Sequence, residues 1–336
     1  MKFYISRWYL RKIYCIVDIN ENCKIRRKKV IMMKKVILWG SRLEYDIYCK
    51  FFEVEVLKSN IKIEALVLNE EAMFSFIDGI EVIGVEDLLN RQFDYLINMN
   101  RQEPQTVRRI LELLKIPLEK VIPAKVFRLP AFDWERYIKV REGKVSIIAN
   151  HCWGGYTYNS LGMQFLSPFI NMFVAPDDYL RLLGRFEYYI NAPLHYLREG
   201  YEETLKKSYP VAGLEDVELH FNHYPDFETA ASIWNKRKDR INRENLLVQM
   251  SLDHEETAEK FAALPFSHKI GLSTIASNLP DILYFPVEGN DYLENRYGKN
   301  IFNFFNHVAM LPSDEFKCYD ILKLLNHESD YVRVIY

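Results

Sequence analysis

Short apolar runs alternate with amphipathic stretches from Lys34 onward, and this alternation constrains the fold more than any other feature of the sequence. It is typical of βαβ units and predicts a parallel sheet with helices packed on it. Strands are expected at residues 36–39, 61–68, 81–83 and 95–98 and near Val121, with helices at about residues 44–58, 85–91 and 104–114. The handedness of βαβ crossovers places a ligand crevice at the carboxyl ends of such strands.

The length of the chain indicates two domains, because 336 residues exceed what one hydrophobic core usually serves. We expect an α/β protein with a basic N-terminal extension at residues 1–31, a Rossmann-like domain with a parallel sheet at residues 32–130, and a second, larger α/β domain at residues 131–336. The βα alternation stops near Pro130 and restarts at Lys144, and the aromatic segment between them is interpreted as a packed connector.

Positive charge is concentrated at the N-terminus. Residues 1–35 hold 11 Lys or Arg against 2 Asp or Glu, which leaves 33 against 44 in the rest of the chain. The body is therefore acidic, and nucleic-acid binding is not expected. Apolar residues at near-helical spacing would allow residues 1–31 to make a peripheral membrane contact. The alternatives are an ordered addition to the fold, or an extension upstream of a natural start at Met32 or Met33.

Composition points to a globular chain of the cytoplasm. Hydrophobic residues make up 49% and charged residues 27%, and no run approaches the roughly 20 apolar residues needed to span a bilayer. The five cysteines are odd in number and lack metal-like spacing, so neither a disulfide framework nor a metal site is predicted.

The turn after the first strand carries a reduced dinucleotide fingerprint. Gly40 is a single glycine where three are usual, and Asn69 stands where an acidic residue would close the second strand. NAD(P) binding is therefore not expected. Gly40, Ser41 and Arg42 could still hold a nucleotide phosphate at the helix N-terminus, against the alternative of a purely structural turn.

The most chemically loaded segment follows a strand expected at residues 144–150. It contains Asn150, His151, Cys152, Trp153, Gly154 and Gly155. The glycines would permit positive φ and close approach of the backbone to a ligand, and Cys152 could be a nucleophile if a base lies nearby. The alternative is a small buried Cys152 in a turn that the glycines merely allow.

Further polar groups follow the other expected elements of the second domain. A run at residues 168–174 and a helix at about 176–190 precede a strand at residues 217–224, whose apolar face ends in His223. Later strands at 246–252, 269–274 and 282–287 end near Asp253, Ser273 and Glu288. If the sheet is parallel, His151, Cys152, His223, Asp253 and Glu288 converge on one edge.

A helix expected at residues 227–241 brings cations to its packed side. At 100° per residue Lys238 lies within the apolar stripe that includes Trp234, Arg237 lies at its border, and Arg240 points outward. Cations in these positions can bind an anion, extend their charged ends to solvent, or complement the dipole at the C-terminal end of the helix. We predict that residues 150–155, His223 and Arg237 border a single pocket.

Two resemblances extend these inferences. The segments KKVILWGS and GIEVIGVEDLL resemble small Rossmann-type domains attached to sugar acyltransferases and other polysaccharide enzymes. Residues 145–286, with SIIANHCWGG, SPFINMF and HFNHYPDFETAASIWNKRKDRIN, resemble a bacterial family of unknown function often labelled exopolysaccharide or capsule biosynthesis proteins. Its pattern singles out Asn150, Cys152, Trp153, Gly154, Gly155, Ser167, His223, Trp234, Arg237, Arg240 and Asn242.

The leading expectation is a transferase acting on a sugar, nucleotide-sugar or glycan intermediate. His223 or Asp253 would be the general base, or Cys152 a covalent acyl carrier activated by His223. Asn150, Trp153, Gly154, Gly155, Trp234, Arg237, Lys238 and Arg240 would bind substrate, with a nucleotide sugar as the donor. The alternatives are a non-catalytic glycan-binding or assembly protein and, third, an NAD(P)-dependent sugar oxidoreductase.

Overall fold

A computed structural model describes residues 33–69, 74–100, 104–203, 206–284 and 319–331. The N-terminal part contains β1 (Lys34–Gly40), α1 (Arg42–Leu57), β2 (Ile61–Leu68), β3 (Phe76–Ile77), β4 (Ile80–Ile83), β5 (Tyr95–Asn98), α2 (Pro104–Leu113) and β6 (Val121–Pro123). The strands form one sheet in the order β3-β4-β2-β1-β5-β6, in which β3 alone runs antiparallel to its neighbour. The parallel sheet expected from the apolar alternation is confirmed.

Burial explains why β1 is the centre of this sheet. Residues 36–40 are all buried, because β2 and β5 flank β1 and apolar side chains cover both of its faces. The segment expected to form a helix at 85–91 is a 3-10 helix, Val85–Asn90. Ser41 caps the neighbouring α1: its hydroxyl accepts the N–H of Glu44, while the Glu44 carboxylate accepts the N–H of Ser41.

The second part is built on a separate parallel sheet. Its elements are α3 (Trp134–Gly143), β7 (Ser146–Ala149), α4 (Trp153–Ser160), α5 (Pro176–Gly184), α6 (Phe186–Asn191), β8 (Leu194–Glu202), β9 (Lys207–Leu214), β10 (Val217–His220), α7 (Phe227–Lys238), β11 (Leu246–Leu252), α8 (Glu255–Ala262), β12 (Lys269–Ser273), β13 (Ile282–Tyr284) and α9 (Ile321–Leu325). Four strands run parallel in the order β13-β12-β11-β7. The turn after β7 and the end of β11 therefore lie at the same edge.

Three strands of the second part form an antiparallel sheet that the sequence analysis did not anticipate. Strands β8, β9 and β10 pair in the order β10-β9-β8. The expectation that His223 ends a strand of a parallel sheet is wrong, because β10 is antiparallel and stops at His220. His223 lies in the turn between β10 and α7.

Other local expectations also need correction. The run at residues 168–174 is irregular except for a bridge between Phe173 and His220. The helix expected at 176–190 is two helices, α5 and α6, which break at Arg185, and the connector before β7 contains α3. The boundary expected at residue 31 lies outside the described residues.

The two parallel sheets share hydrophobic packing. No hydrogen-bond ladder joins them among the described strands, yet Phe52 of α1, Phe127 and Trp134 belong to one buried cluster with Trp153 of α4. The Phe52 and Phe127 rings meet edge to face at 5.1 Å, and the Phe127 and Trp134 rings stack at 5.9 Å. The connector is thus packed into the core, while the domain boundary near residue 130 stays a prediction.

Candidate functional site

The turn between β7 and α4 is held by buried hydrogen bonds. Asn150 and His151 are both buried, and the Asn150 side-chain oxygen accepts the Ser251 N–H of β11 at 3.1 Å. The backbone oxygen of Asn150 accepts the N–H of Val174 at 2.9 Å. The end of β11 and the segment before α5 therefore fix the backbone that leads into Cys152.

The hydrogen bonds of His151 define its tautomer. The N–H of Trp153 donates to Nδ1 at 3.3 Å, so Nε2 carries the proton and donates to the hydroxyl of Ser251. The Gln249 amide nitrogen also donates to that hydroxyl, at 3.3 Å. His151 therefore serves to hold the turn.

Polar groups without partners remain close to this network. Within the described part of the chain, Asn150 Nδ2 and Gln249 Oε1 are buried without a hydrogen-bond partner. Gln249 lies opposite Ala149 on the neighbouring strand β7. Burial of such groups is costly unless water or a ligand satisfies them, and few buried groups in proteins lack a partner.

The two glycines of the turn serve close packing. A Cβ on Gly154 would lie 3.2 Å from a side-chain methyl carbon of Ile147, and one on Gly155 would lie 3.4 Å from the corresponding carbon of Ile170. Neither glycine has a positive φ, so the expectation that they supply left-handed backbone is wrong. They form the first turn of α4 and let that helix pack against β7.

The structure brings Cys152 and His223 together. The half-buried Cys152 Sγ lies 3.7 Å from Nε2 of His223, although the residues are 71 positions apart in sequence. Cys152 precedes the first residue of α4, and His223 arrives from the turn after β10. This contact is the arrangement expected for a thiol with an adjacent base.

Desolvation shifts both groups toward their neutral forms. Burial raises the pKa of the Cys152 thiol to about 11. Desolvation lowers the pKa of His223; the positive charge of Lys207 lowers it further, and the negative charge of Glu202 acts in the opposite direction. At neutral pH the pair is therefore a thiol beside a neutral imidazole.

The predicted substrate-binding tryptophans are core residues. Trp153 is fully buried and donates its indole N–H to the Tyr319 hydroxyl at 3.3 Å. Trp234 is also buried, where its ring meets that of Phe169 edge to face at 5.2 Å. As placed, both indoles pack the interior, and neither offers a face to a ligand.

Asp253 lies at the expected edge but outside the contact between Cys152 and His223. It follows β11, and its carboxylate lies 3.9 Å from Nε2 of His254. The other expected acid, Glu288, lies outside the described residues. In the described parts of the chain, no three His, Cys, Asp or Glu residues form a group that could hold a metal ion.

The cations at the end of α7 contact Phe165. The Arg237 guanidinium lies over the Phe165 ring at 5.0 Å and donates to the Tyr224 hydroxyl at 2.9 Å. Arg240 Nη1 lies 3.5 Å from the backbone oxygen of Phe165. Since α7 ends at Lys238, the helical phase assigned to Arg240 does not apply, and Arg240 is half-buried, as Lys238 is.

The N-terminus of α1 carries a carboxylate of its own. Both the N–H and the hydroxyl of Ser41 donate to one Glu44 oxygen, at 2.8 and 3.1 Å. A Cβ on Gly40 would lie 2.9 Å from the same oxygen, and Arg42 pairs with Asp46. The negative charge of Glu44 at this helix end disfavours the binding of a phosphate. The nucleotide role of residues 40–42 stays a prediction.

Four residues of these contacts were not predicted as site residues: Phe165, Tyr224, Gln249 and Ser251. Alternation along the apolar run of β11 could have revealed Gln249 and Ser251 as polar residues on one strand face. Nothing in the local sequence marks Phe165, because its role depends on a helix more than 60 positions further along the chain.

The chain is thus an α/β protein in two parts, with the Cys152 thiol and the His223 imidazole in contact after the end of β7. The chain belongs to a family described as a domain of unknown function, DUF1919, whose model matches residues 124–311, more than half of its length. A model described as C2185-like, N-terminal, matches residues 32–122. The expectation of a family of unknown function is thereby confirmed.

One relative is similar to this chain over part of its length. The chain is 33% identical over 136 residues to an uncharacterized protein of Haemophilus influenzae. The match covers 39% of this chain and 63% of that protein, so it spans less than two thirds of the relative. Separately, the helices of the described ranges include none long and apolar enough to cross a membrane.

Proposed function

We propose that the chain is an enzyme of bacterial cell-surface polysaccharide biosynthesis, for exopolysaccharide or capsule, that transfers an acyl group to a sugar, nucleotide-sugar or glycan intermediate. One observation carries the chemistry: Cys152 Sγ lies 3.7 Å from Nε2 of His223. A thiol beside a base is the unit required for covalent acyl transfer. The polysaccharide context and a cytoplasmic location rest on the sequence arguments.

The first half-reaction loads the thiol. With the His223 imidazole neutral and protonated on Nδ1, Nε2 takes the thiol proton as Sγ attacks the carbonyl carbon of an ester or thioester donor. The carbon–oxygen or carbon–sulfur bond of the donor then breaks. The departing alcohol or thiol receives the proton from Nε2, and Cys152 carries the acyl group as a thioester.

The second half-reaction reverses these roles. A sugar hydroxyl attacks the thioester carbonyl while His223 Nε2 takes the hydroxyl proton. The carbon–sulfur bond to Cys152 breaks, and the departing sulfur regains the proton. The product is an O-acylated sugar, and the free thiol and neutral imidazole are restored without an oxidant or reductant.

The position of Cys152 supports stabilisation of the tetrahedral intermediates. Cys152 lies at the N-terminus of α4, where the first-turn N–H groups have no acceptor within the helix. Trp153 uses its N–H for His151, which leaves the glycine N–H groups of the same turn near the positive end of the helix dipole. We assign them the oxyanion that forms at the carbonyl.

The proposal is tested with p-nitrophenyl acetate as the acyl donor. We expect a burst of p-nitrophenolate and a mass increase of one acetyl group located on Cys152. Cys152→Ala should abolish both, and His223→Asn should slow the burst by about 100-fold or more, a usual size for loss of a general base. Cys49→Ala is the matched control, because Cys49 is the other half-buried free cysteine in the described residues.

Two results would contradict this mechanism. The first is equal acetylation of wild type and Cys152→Ala. The second is a His223→Asn variant that loads Cys152 at the wild-type rate. Circular dichroism of each variant shows whether a loss of activity reflects a loss of fold.

Exposed tyrosines support a second candidate, a non-catalytic glycan-binding or assembly protein. Tyr196 and Tyr201 on the edge strand β8 are 47% and 53% exposed, and such rings can stack on sugars. Binding of a polysaccharide by a Cys152→Ala variant, and its loss in Tyr196→Ala, would favour this candidate if no acyl transfer is found.

The six-stranded sheet is proposed as a Rossmann-like docking unit. The Glu44 carboxylate at the N-terminus of α1 disfavours a dinucleotide pyrophosphate there, which supports the expectation that NAD(P) is not bound. A nucleotide-sugar substrate would then be held by the second domain. Calorimetry with NAD and NADP checks this, and micromolar binding of either would overturn it.

A further inference from the structure

We infer that Arg237 and Arg240, with Phe165 and Tyr224, form an oxyanion-binding site made of residues other than Cys152 and His223. The ligand class is a molecule with a phosphate or carboxylate group. The site has no carboxylate partner among the described residues, and its four side chains come from three different segments of the second domain. The inference does not depend on the chemistry proposed for Cys152.

The geometry of Arg237 leaves most of its hydrogen-bonding capacity free. Its guanidinium lies over the Phe165 ring at 5.0 Å, and one nitrogen, Nη1, donates to the Tyr224 hydroxyl at 2.9 Å. That hydroxyl directs its own proton to the Ile170 oxygen at 2.9 Å, so its lone pair faces Arg237. A guanidinium has five N–H groups, and a planar edge held in this way matches the two oxygens of a carboxylate or phosphate.

A second cation converges on the same residue. Arg240 Nη1 lies 3.5 Å from the Phe165 oxygen, and the Arg240 N–H donates to the Arg237 oxygen at 3.0 Å. Both arginines are half-buried, and neither forms an ion pair with a described carboxylate. Two half-buried guanidiniums that both contact Phe165 without a counter-ion lose hydration, and a bound oxyanion offsets that cost.

Helix electrostatics alone do not account for this arrangement. Cations in the last turn of a helix complement its dipole, and the exposed Lys236 does so from the surface of α7. That role requires neither a ring beneath the guanidinium nor a buried hydroxyl to orient it. The contacts with Phe165 and Tyr224 are additional and hold the fork of Arg237 in one orientation.

Phe165 is linked to the beginning of β7 through the ring of Tyr158. Phe165 packs on Tyr158, whose hydroxyl bonds to the backbone of Val145 and Ile147 at the beginning of β7. Cys152 follows the other end of that strand. Tyr224, which binds Arg237, directly follows His223, which contacts Cys152. That Arg237, His223 and residues 150–155 border one pocket stays a prediction.

The test is titration of the full chain with inorganic phosphate and, in a second arm, with acetate, at constant ionic strength. Binding is followed by the line width of the phosphate 31P signal and by calorimetry. We expect one of the two anions to bind wild type. Arg237→Gln and Arg240→Gln should each lower its affinity at least about tenfold, as expected when one charge-assisted contact is lost. The arm that binds identifies the anionic group.

Matched variants separate binding from structure. Lys236→Gln removes the same charge from the exposed side of α7 and should bind as wild type does. Arg237→Lys keeps the charge without the planar fork and should bind more weakly than wild type. The inference is overturned if neither anion binds wild type, or if Lys236→Gln weakens binding as much as Arg237→Gln.

The two proposals fail independently. Cys152→Ala should bind the anion with wild-type affinity, because Cys152 is not part of this site. Anion binding that depends on Arg237, without acetylation of Cys152, would leave this inference standing and remove the acyl-transfer proposal. An Arg237→Gln variant that only melts at a lower temperature, with unchanged anion binding, would show that Arg237 has a purely structural role.

Discussion

Cys152 should react slowly with iodoacetamide at neutral pH, because its environment favours the protonated thiol. Burial raises the pKa of Cys152 to about 11, against about 8.5 for a free cysteine. At pH 7 the thiolate fraction is therefore roughly 300-fold smaller than for a free thiol. The His223 imidazole, itself made harder to protonate by desolvation, does not supply the positive charge that would stabilise a thiolate.

The intrinsic nucleophilicity of the thiolate recovers part of this difference. A thiolate of higher pKa is more reactive, and a Brønsted coefficient of about 0.4–0.5 makes that gain roughly tenfold over this interval. Alkylation at pH 7 should then be about 20- to 30-fold slower than for a free cysteine. Partial burial of the sulfur slows alkylation further at every pH, so the midpoint of the pH profile is a better measure than the absolute rate.

The assay follows alkylation of Cys152 by mass spectrometry between pH 6 and pH 11. The rate should keep rising through pH 9 and show no plateau below pH 10. His223→Asn should leave the profile nearly unchanged, because the resting imidazole carries no charge. A plateau below pH 8 that disappears in His223→Asn would demonstrate a thiolate–imidazolium pair and refute the neutral resting state.

Three further predictions concern stability. Burial, with the charges of nearby His and Lys side chains, lowers the pKa of His327 to about 4. The contribution of His327 to the free energy of unfolding is thus present above about pH 6.5 and lost as the pH falls toward 4. For a half-buried ring we expect this loss to be about 1–2 kcal/mol. Urea unfolding of wild type and His327→Gln at both pH values measures it. A pH-independent difference would contradict this. Ser41→Ala removes the cap of α1 and should cost about 1 kcal/mol in the same assay; an unchanged midpoint would count against the cap. Gly154→Ala places a Cβ 3.2 Å from Ile147 and should be less stable than Gly155→Ala, whose closest contact is 3.4 Å; the reverse order would disprove the packing role.

Sequence patterns predicted most strands of the two parallel arrangements but missed β8 and β9 of the antiparallel sheet, although six residues of β9 are buried. The apolar runs of β1, β2 and β11 could be recognised because strands buried on both faces need apolar side chains throughout. Strand β8 reads Leu-His-Tyr-Leu-Arg-Glu-Gly-Tyr-Glu and is mostly exposed, so it has neither an apolar run nor an alternating face. Strand β8 forms because it pairs with β9, and the local sequence does not predict that pairing.

The candidate site was predicted in part for a similar reason. Residue chemistry marked Cys152 and His223, and the structure brings them into contact. Their contact was predicted from the edge of one parallel sheet, whereas His223 lies in a turn after an antiparallel strand. Arg237 was marked by its charge, but its partners Phe165 and Tyr224 are set by tertiary packing that no local spacing encodes.

The aromatic packing across the connector has a consequence for how the chain unfolds. Phe52, Phe127 and Trp134 join the N-terminal sheet to the second domain through ring contacts of 5.1 and 5.9 Å. Removing residues 32–130 would expose the Trp134 ring to water, and deleting the second domain would uncover the face of Phe127 that stacks on Trp134. We therefore expect the two halves to melt in a single transition, although each is matched by its own family model.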